Sequence, residues 1–307
     1  MMNVATTTRA VVRGCGGERY SIFKTLAMLR NAGFSIVDWY APECELLDGR
    51  EEAGDCERWK RWACEVRDCA EKLGLRFCQM HALDQNYARG EAYAQYISRA
   101  SEKTFLAAQI LGVRDAAIHP ILSAPERRDF DHCIADNVAY FSRLADTAGK
   151  YGLRLAIENM LSKRHFDGTE EWRFCTSWQA HRALVSALDF ENVGYCFDVG
   201  HANYTGTDPY DVPVAMGKRL FAIHVHDNDT FSDQHLLPYQ GTIDFNRFTQ
   251  GLADAGYAGN MTMEVINAAN RMPEPMAMLT LKAICEAARH LADKVERARA
   301  ARAALGS

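Results

Sequence analysis

Residues 193–203 read VGYCFDVGHAN and residues 220–228 read LFAIHVHDN. Each opens on an apolar run of strand length and ends in a cluster of acids, histidines and amides. Val193–Asp198 (VGYCFD) and Leu220–Val225 (LFAIHV) are too short for typical helices. They also lack a clean polar/apolar alternation, which suits strands buried on both faces. The same pattern recurs on either side. Upstream lie Arg9–Arg13 (RAVVR), Phe34–Tyr40 (FSIVDWY), Leu75–His81 (LRFCQMH), Val113–His119 (VRDAAIH) and Leu153–Glu158 (LRLAIE); downstream lies Met261–Val265 (MTMEV). Between the runs fall helical patterns, among them Cys56 to Leu73, Glu91 to Leu111 and His132 to Tyr151. Glycines 74, 112 and 152 follow these three as stops. Ser177 and the pair Asp208-Pro209 offer further helix starts.

Eight strand-plus-helix units predict an α/β fold with parallel pairing. At ~250 residues or more this is the size of a closed (β/α)8 barrel, a TIM barrel whose active site lies at the C-terminal face of the strands. An open doubly wound sheet is the alternative, but no GxGxxG follows the first strand. No Pro/Ser-rich linker divides the chain, so a single domain over residues 1–307 is expected. The basic, Ala-rich end, about 293–307, reads as a solvated extension of the last helix.

Composition narrows the function classes. The 307 residues are 48% hydrophobic and 24% charged, ordinary for a globular chain. Lys plus Arg number 35 against 40 Asp plus Glu, a formal net charge of −5. That argues against nucleic acid as a partner. No run approaches the ~20 apolar residues of a membrane span. No signal peptide opens the chain, so a cytoplasmic location is expected. The ten cysteines are scattered without a CxxC, which excludes a zinc ribbon and suits reduced thiols.

The chemistry is concentrated where the runs end. Asp38, His81, His119, Glu158, Asp198 with His201, His224 with His226 and Asp227, and Glu264 all stand at or just beyond a strand's carboxyl end. In a barrel these ends converge on one face. A buried His or carboxylate is costly unless paired or bound to a metal. Mixed carboxylate and imidazole donors suit a divalent ion of the Mn, Zn, Fe or Co kind. Trp39, at a strand end, is expected to supply a pocket wall. Phe166 and Trp172 read as core or loop packing. Gly14, Gly16 and Gly17 fit either a backbone approach to substrate or a simple turn.

Six pieces carry a family resemblance: Ala116–Pro120 (AAIHP), Leu155–Asn159 (LAIEN), Phe197–Asn203 (FDVGHAN), Ile223–Asn228 (IHVHDN), Asp233–Phe245 (DQHLLPYQGTIDF) and Thr262–Val265 (TMEV). In this order the chain resembles the xylose isomerase-like TIM-barrel superfamily of sugar phosphate isomerases, epimerases and endonuclease IV. The resemblance implies a metal held by Glu158, Asp198, His224 and Glu264. His224 rather than His226 matches the His-x-x-Asp pattern, which Asp227 completes. The larger trinuclear pattern of endonuclease IV adds counterparts at His81, His119, His201, Asp233 and His235. One to three divalent ions per chain (Mn, Zn, Co, Fe or Mg) are therefore expected.

By the same resemblance Glu158 and Glu264 form the catalytic acid/base pair. His201 contacts substrate or a second ion. His226 and Asp227 contact substrate or orient the ligands. The ketohexose 3-epimerases carry an Arg six residues past the strand-seven His, where this chain has Thr230, which argues against a free ketohexose. The implied activity is a metal-dependent isomerase or epimerase acting on a sugar or keto-polyol through an enediolate. The alternative is a metal-assisted lyase or hydrolase on the same barrel: a keto-inositol dehydratase, a deglycosidase or an abasic-site DNA endonuclease. A metal-binding scaffold without turnover is the least favoured, because it needs no opposed carboxylates. Homo-oligomers are frequent among such barrels.

Overall fold

The computed structural model describes residues 1–47, 55–164 and 170–305. Among them eight strands pair in parallel: β1 (Val4–Thr7), β2 (Ile36–Tyr40), β3 (Arg76–His81), β4 (Asp115–Ile118), β5 (Arg154–Glu158), β6 (Val193–Asp198), β7 (Leu220–His224) and β8 (Met261–Met263). β1 lies between β8 and β2, with Ala5 opposite both Thr262 and Ile36. Val225 closes the ring onto the last strand. Its N–H donates to Thr262 O at 3.0 Å, and its own carbonyl accepts from Glu264 N at 2.9 Å. The result is the (β/α)8 barrel that the alternating runs predict. A short hairpin pairs Lys163–Arg164 with Glu170–Glu171 beyond β5.

Helices return the chain between strands: α1 (Ile22–Ala32), α2 (Cys56–Lys72), α3 (Glu91–Leu111), α4 (Phe130–Lys150), α5 (Trp178–Ala187), α6 (Val199–Tyr204), α7 (Asp211–Met216), α8 (Phe245–Asp254) and α9 (Glu274–Leu305). Their starts are fixed by side-chain caps. Ser21, Asp55, Asp129, Ser177 and Asp244 each accept a backbone N–H of the first turn. Gly33 and Gly112 take the left-handed conformation that ends α1 and α3. α9 packs as far as Val295, which is fully buried; beyond it Arg302 pairs with Asp254 at 3.2 Å. No helix among the described residues is long and apolar enough to cross a membrane.

Side-chain parity sorts the layers. Outward strand residues such as Trp39 and Phe197 fill the space between strands and helices together with helix residues such as Phe105 and Phe141. Inside the barrel the small Ala117, Ala156, Cys196 and Ala222 cluster with one large ring, Phe221. Towards the carboxyl ends the inward positions turn polar, with Asp38, His81, Glu158, Asp198 and His224 all buried.

Three expectations change here. The first strand is Val4–Thr7, not Arg9–Arg13; Thr8–Ala10 is a single 3-10 turn. The apolar density of RAVVR belongs to a segment packed on α1, where Thr25 donates to Val11 O at 2.9 Å. The true strand instead buries β-branched threonines, and Thr6 donates to Met263 O at 3.2 Å. Gly14, Gly16 and Gly17 consequently lie well past the strand end, in a turn closed by Gly17 N–H on Gly14 O at 2.9 Å. Finally, α6 starts directly after β6, ahead of the helix expected after Asp208-Pro209, which is α7.

Gly194 shows how tightly β6 and β7 are joined. A Cβ there would stand 2.4 Å from Arg219 O and 2.6 Å from the Phe221 ring. Gly194→Ala is expected to destabilise by about 1–3 kcal/mol through overpacking. Gly149→Ala, where the nearest atom is an ordinary 3.5 Å away in α4, is expected to be neutral or to stabilise by up to about 1 kcal/mol. Urea denaturation of both variants reads the contrast. Equal effects of the two would contradict this packing.

Candidate metal centre

β5, β6 and β7 end in Glu158, Asp198 and His224, and Glu264 follows β8 directly. All four are buried, and one donor atom from each lies within 4.8 Å of the others. His224 Nδ1 stands 3.1 Å from Glu158 Oε1, 3.7 Å from Glu264 Oε2 and 4.0 Å from Asp198 Oδ2. The four residues of the expected core set therefore share one site.

The other five expected ligands flank it on two sides. His81 ends β3 and His119 follows β4, with their Nε2 atoms 3.2 Å apart and 3.9 and 3.5 Å from Glu158 Oε2. On the other side His201 Nε2 and His235 Nε2 lie 3.9 and 3.3 Å from Asp233. In all four of these imidazoles the far nitrogen is engaged. His81 Nδ1 donates to Ala82 O (3.0 Å), His201 Nδ1 to Asn159 O (2.8 Å) and His235 Nδ1 to Glu264 O (2.8 Å), while His119 Nδ1 is 2.9 Å from Asp84 Oδ2. Such bonds fix the tautomer and aim each Nε2 lone pair inward, the usual support of a metal-bound histidine. Two such nitrogens 3.2 Å apart, as in His81 and His119, are satisfied by a proton or by a metal ion between them.

The supporting bonds explain local folding as well. Asp198 caps α6 by accepting His201 N–H at 2.6 Å. Asn159 brackets Asp198, donating to its carbonyl at 2.9 Å and accepting its N–H at 2.8 Å. His226 is fully buried and sits with Nε2 3.1 Å from both Asp198 oxygens, its ring stacked 3.9 Å from His235. It thus supports Asp198 rather than facing substrate. Asp227 accepts backbone N–H groups of Asn228 (2.9 Å), Gly241 (2.9 Å) and Ile243 (3.2 Å), so its carboxylate organises the loop that carries Asp233 and His235. Neither residue lines the cavity above the centre.

Trp39 also departs from expectation. It faces outward, fully buried against Trp62 with centroids 5.5 Å apart. Its neighbour Tyr40 takes the cavity wall and lies 4.9 Å from the His81 ring. Phe166 lies outside the described residues, and Trp172 stacks on Phe174 at 6.4 Å. Cys196 joins the cluster beside Glu158 and His224, but burial pushes its thiol up to about 12 and keeps it protonated.

The cavity measures about 220 Å³ and exposes Glu158, Glu264, His201 and Asp233 on its floor. Arg9 and Arg173 line it too, and neither was legible as a site residue. Arg9 became visible only once β1 was placed at Val4–Thr7, which puts it past the strand's carboxyl end. It lies 3.3 Å from Glu43 and donates to Tyr40 Oη at 3.1 Å. Asp84 was missed as well, being a loop residue with no periodic signal.

Electrostatics show what such a cluster requires. Burial pushes the Glu158 carboxyl up, and His224, His119 and His201 override it, holding it well below the usual range. Burial is likewise overridden at Asp198 by His201 and His226, and at Asp233 by His235 and His201, so both are held low. Three imidazoles move oppositely, while burial and the neighbouring His119 lower His81. Against burial, His224 is raised beside Cys196, Glu264 and Glu158, and His226 beside Asp198; Asp84 brings His119 up to about 9. Asp38, buried without a hydrogen-bond partner, is pushed by burial up to about 7.

In a metal-free chain, protons on histidine supply the positive charge that the carboxylates demand. A divalent ion fits the same positions. Glu158 Oε2 and both His224 ring nitrogens are buried without a hydrogen-bond partner, and His224 Nδ1 faces the Glu158 carboxylate. Hard carboxylate and borderline imidazole donors match Mn, Zn, Fe or Co.

Comparison with known proteins agrees with the fold. The family described as xylose isomerase-like TIM barrel matches residues 26–291. An inosose isomerase of Bacillus licheniformis is 28% identical over 164 residues, 51% of this chain and 55% of that protein. The chain spans about half the length of the curated relatives it matches. A D-tagatose 3-epimerase-like protein superposes with TM-score 0.69 at 19% identity, over 96% of this chain and 100% of the other. A D-psicose 3-epimerase of Clostridium cellulolyticum H10 gives 0.71 at 16% identity, over 94% and 99%.

The pKa pattern predicts how metal and pH interact. His119, raised to about 9, contributes stability that is complete below its usual 6.5 and lost as pH rises through about 9. Asp38, raised from 3.8 to about 7, costs stability increasingly as pH climbs from about 4 to above 7. The depressed carboxylates act only below their usual values near 4. A chelated protein should therefore weaken from pH 6 to 9, where metal binding strengthens because its ligands must lose protons. The melting-temperature gap between Mn- or Zn-supplemented and EDTA-treated protein is expected to widen over that range. A flat or shrinking gap would contradict the assignment.

Proposed function

The chain belongs to the xylose isomerase-like TIM-barrel family, and from that premise we propose that it is a metal-dependent isomerase or epimerase of a sugar or cyclic keto-polyol. The observation that carries this reading is the pair Glu158 and Glu264. They come from strands three apart in the ring, flank His224 at 3.1 and 3.7 Å, and both open onto the 220 Å³ cavity. Two carboxylates placed on either side of a bound substrate are what proton removal on one face and return on the other require.

Glu158, Asp198, His224 and Glu264 would hold the ion. When bound, a divalent ion would act as a Lewis acid on a carbonyl and the neighbouring hydroxyl, worth several kcal/mol. The chain's own groups do the rest. One glutamate takes the proton next to the carbonyl while the other delivers one. The two differ in their surroundings: the Glu158 carboxylate lies within 4.0 Å of four imidazoles, His81, His119, His201 and His224, whereas the Glu264 carboxylate lies 3.7 Å from two, His224 and His235. Met160, Leu161 and Ile266 give the cavity an apolar wall that excludes water. Likeness to an inosose isomerase supports a cyclic ketone among the candidates.

One observation favours a second reading. Nine ligand-type residues converge, more than a single ion uses, which suits metal-assisted hydrolysis or lyase chemistry with up to three ions. His119→Ala and His235→Ala separate the two. Single-ion isomerase chemistry predicts that both variants keep activity within about 10–100-fold, the usual loss when a residue that only supports a metal ligand is removed. Abolition by either favours the multi-ion reading.

The direct test is proton exchange in D₂O with a panel of inososes, ketohexoses and ketopentoses. Deuterium is expected at the carbon next to the carbonyl for at least one. Glu158→Gln and Glu264→Gln should each lower that rate by at least about 10²–10⁴, the span of general acid/base catalysis. Absence of exchange across the panel, or an unaltered rate in both variants, would overturn the proposal. Nicking of an abasic DNA duplex in place of exchange would establish the alternative.

A further inference from the structure

The opposite mouth of the barrel holds a second cavity, of about 560 Å³. Its lining comes from the amino ends of the strands. Arg76, Asp115, Arg154 and Leu220 are the first residues of β3, β4, β5 and β7, and Asn260 precedes β8. Arg154 and Glu158 are the two ends of one strand, so this mouth lies roughly 13 Å or more from the candidate metal centre, at ~3.3 Å per residue. The two sites share no lining residue.

Charge sets this cavity apart. Four cations line it, Arg76, Arg114, Arg154 and Lys218, against one carboxylate, Asp115. That local surplus of three positive charges stands in a chain whose formal charge is −5. Asp115 is already engaged: Arg154 Nη2 lies 2.6 Å from its Oδ1, and the Arg154 guanidinium covers the Phe221 ring at 3.9 Å. Arg76, Arg114 and Lys218 are exposed, and among the described residues none makes an ion pair or a side-chain hydrogen bond. Like charges only partly offset by Asp115 repel one another, and the focused field of a cleft attracts an anion.

The backbone keeps the mouth open. Gly112, Gly217 and Gly256 turn the chain into β4, β7 and β8 with φ of 79°, 52° and 67°, and no atom lies within 4 Å of where a Cβ would stand. The cavity's size falls within the usual 300–1,000 Å³ of small-molecule sites. Its wall combines this cationic rim with buried Phe77, Phe221 and Tyr257.

We propose that the amino-terminal mouth is a binding site for a small multivalent anion of the di- or triphosphate kind, gripped by Arg76, Arg114 and Lys218. Arg154, held by Asp115, forms its floor. The site is independent of the chemistry at the other end of the barrel. Guanidinium and ammonium donors make charge-assisted hydrogen bonds to phosphate oxygens, and several at once select a multivalent anion over a monovalent one.

Isothermal titration of the full chain with inorganic pyrophosphate tests this. Saturable one-to-one binding that weakens with added NaCl is expected. Arg76→Gln/Arg114→Gln/Lys218→Gln should abolish it. The single Arg114→Gln, at an exposed position that leaves the fold undisturbed, should weaken it about tenfold. Glu158→Gln, at the candidate metal centre, should leave it unchanged. Absence of saturable binding, or binding that survives the triple change and is lost in Glu158→Gln, would overturn the proposal. The latter result would place pyrophosphate on the metal centre and leave the isomerase reading standing.

Discussion

Five carboxylates, Asp38, Glu158, Asp198, Asp233 and Glu264, are gathered at the carboxyl end of the barrel with little access to water. Negative charges so close cannot coexist in a low-dielectric interior without cations between them. Six histidines provide the partners, and every one of them lies within 4.0 Å of a carboxylate oxygen. Of these, His119, His224 and His226 are raised, and their protons offset the charge in a metal-free chain. Divalent ions would satisfy it too, with carboxylate oxygens and bare Nε2 atoms acting as donors together.

The surroundings are shaped by this constraint. Gly200 has no side chain because a Cβ would stand 2.0 Å from the His226 ring that supports Asp198. Gly241 is similarly confined, 2.2 Å from Asn228 O and 2.4 Å from Asp227. Between them the loop carrying Asp233 and His235 contains three non-glycine residues at positive φ: Thr230 (71°), His235 (49°) and Tyr239 (72°). Such conformations cost of order 1–3 kcal/mol each and persist where surrounding bonds over-determine them. Asp227 and Asn228 supply those bonds, through Gly241, Ile243 and Thr242. A loop with no regular structure is thereby held to a rigid frame, and its Asp233 and His235 reach the cluster at the strand ends.

What the sequence disclosed follows from the same physics. Strands buried on both faces read as apolar runs, and an acid or histidine at the end of each run was conspicuous against that background. The ends of β3 to β7, and Glu264 beyond β8, were legible for this reason. β1 was not, because its buried residues include Thr6 and Thr7, while the apolar Val11 lies past its end. That five-residue error concealed Arg9. Trp39 and Tyr40 exchanged roles through parity, since neighbouring strand residues point to opposite faces. α6 had no helical signature: VGHANY carries a glycine and a β-branched residue, and its start depends on one cap from Asp198. Asp84 and Arg173 sit in loops, where only the folded chain brings them to the cavity. The basic mouth at the amino end was invisible because its four cations come from four separate strand starts.

The central claim is that the buried carboxylate and imidazole cluster is a metal centre. Metal content per chain, measured by elemental analysis on protein purified without chelator, equilibrated with Mn and Zn and freed of unbound ions, tests it most directly. The account predicts one to three tightly held divalent ions, with at least one lost in Glu158→Gln, whose carboxylate serves both sides of the cluster. A folded wild-type chain that retains none after equilibration would contradict it.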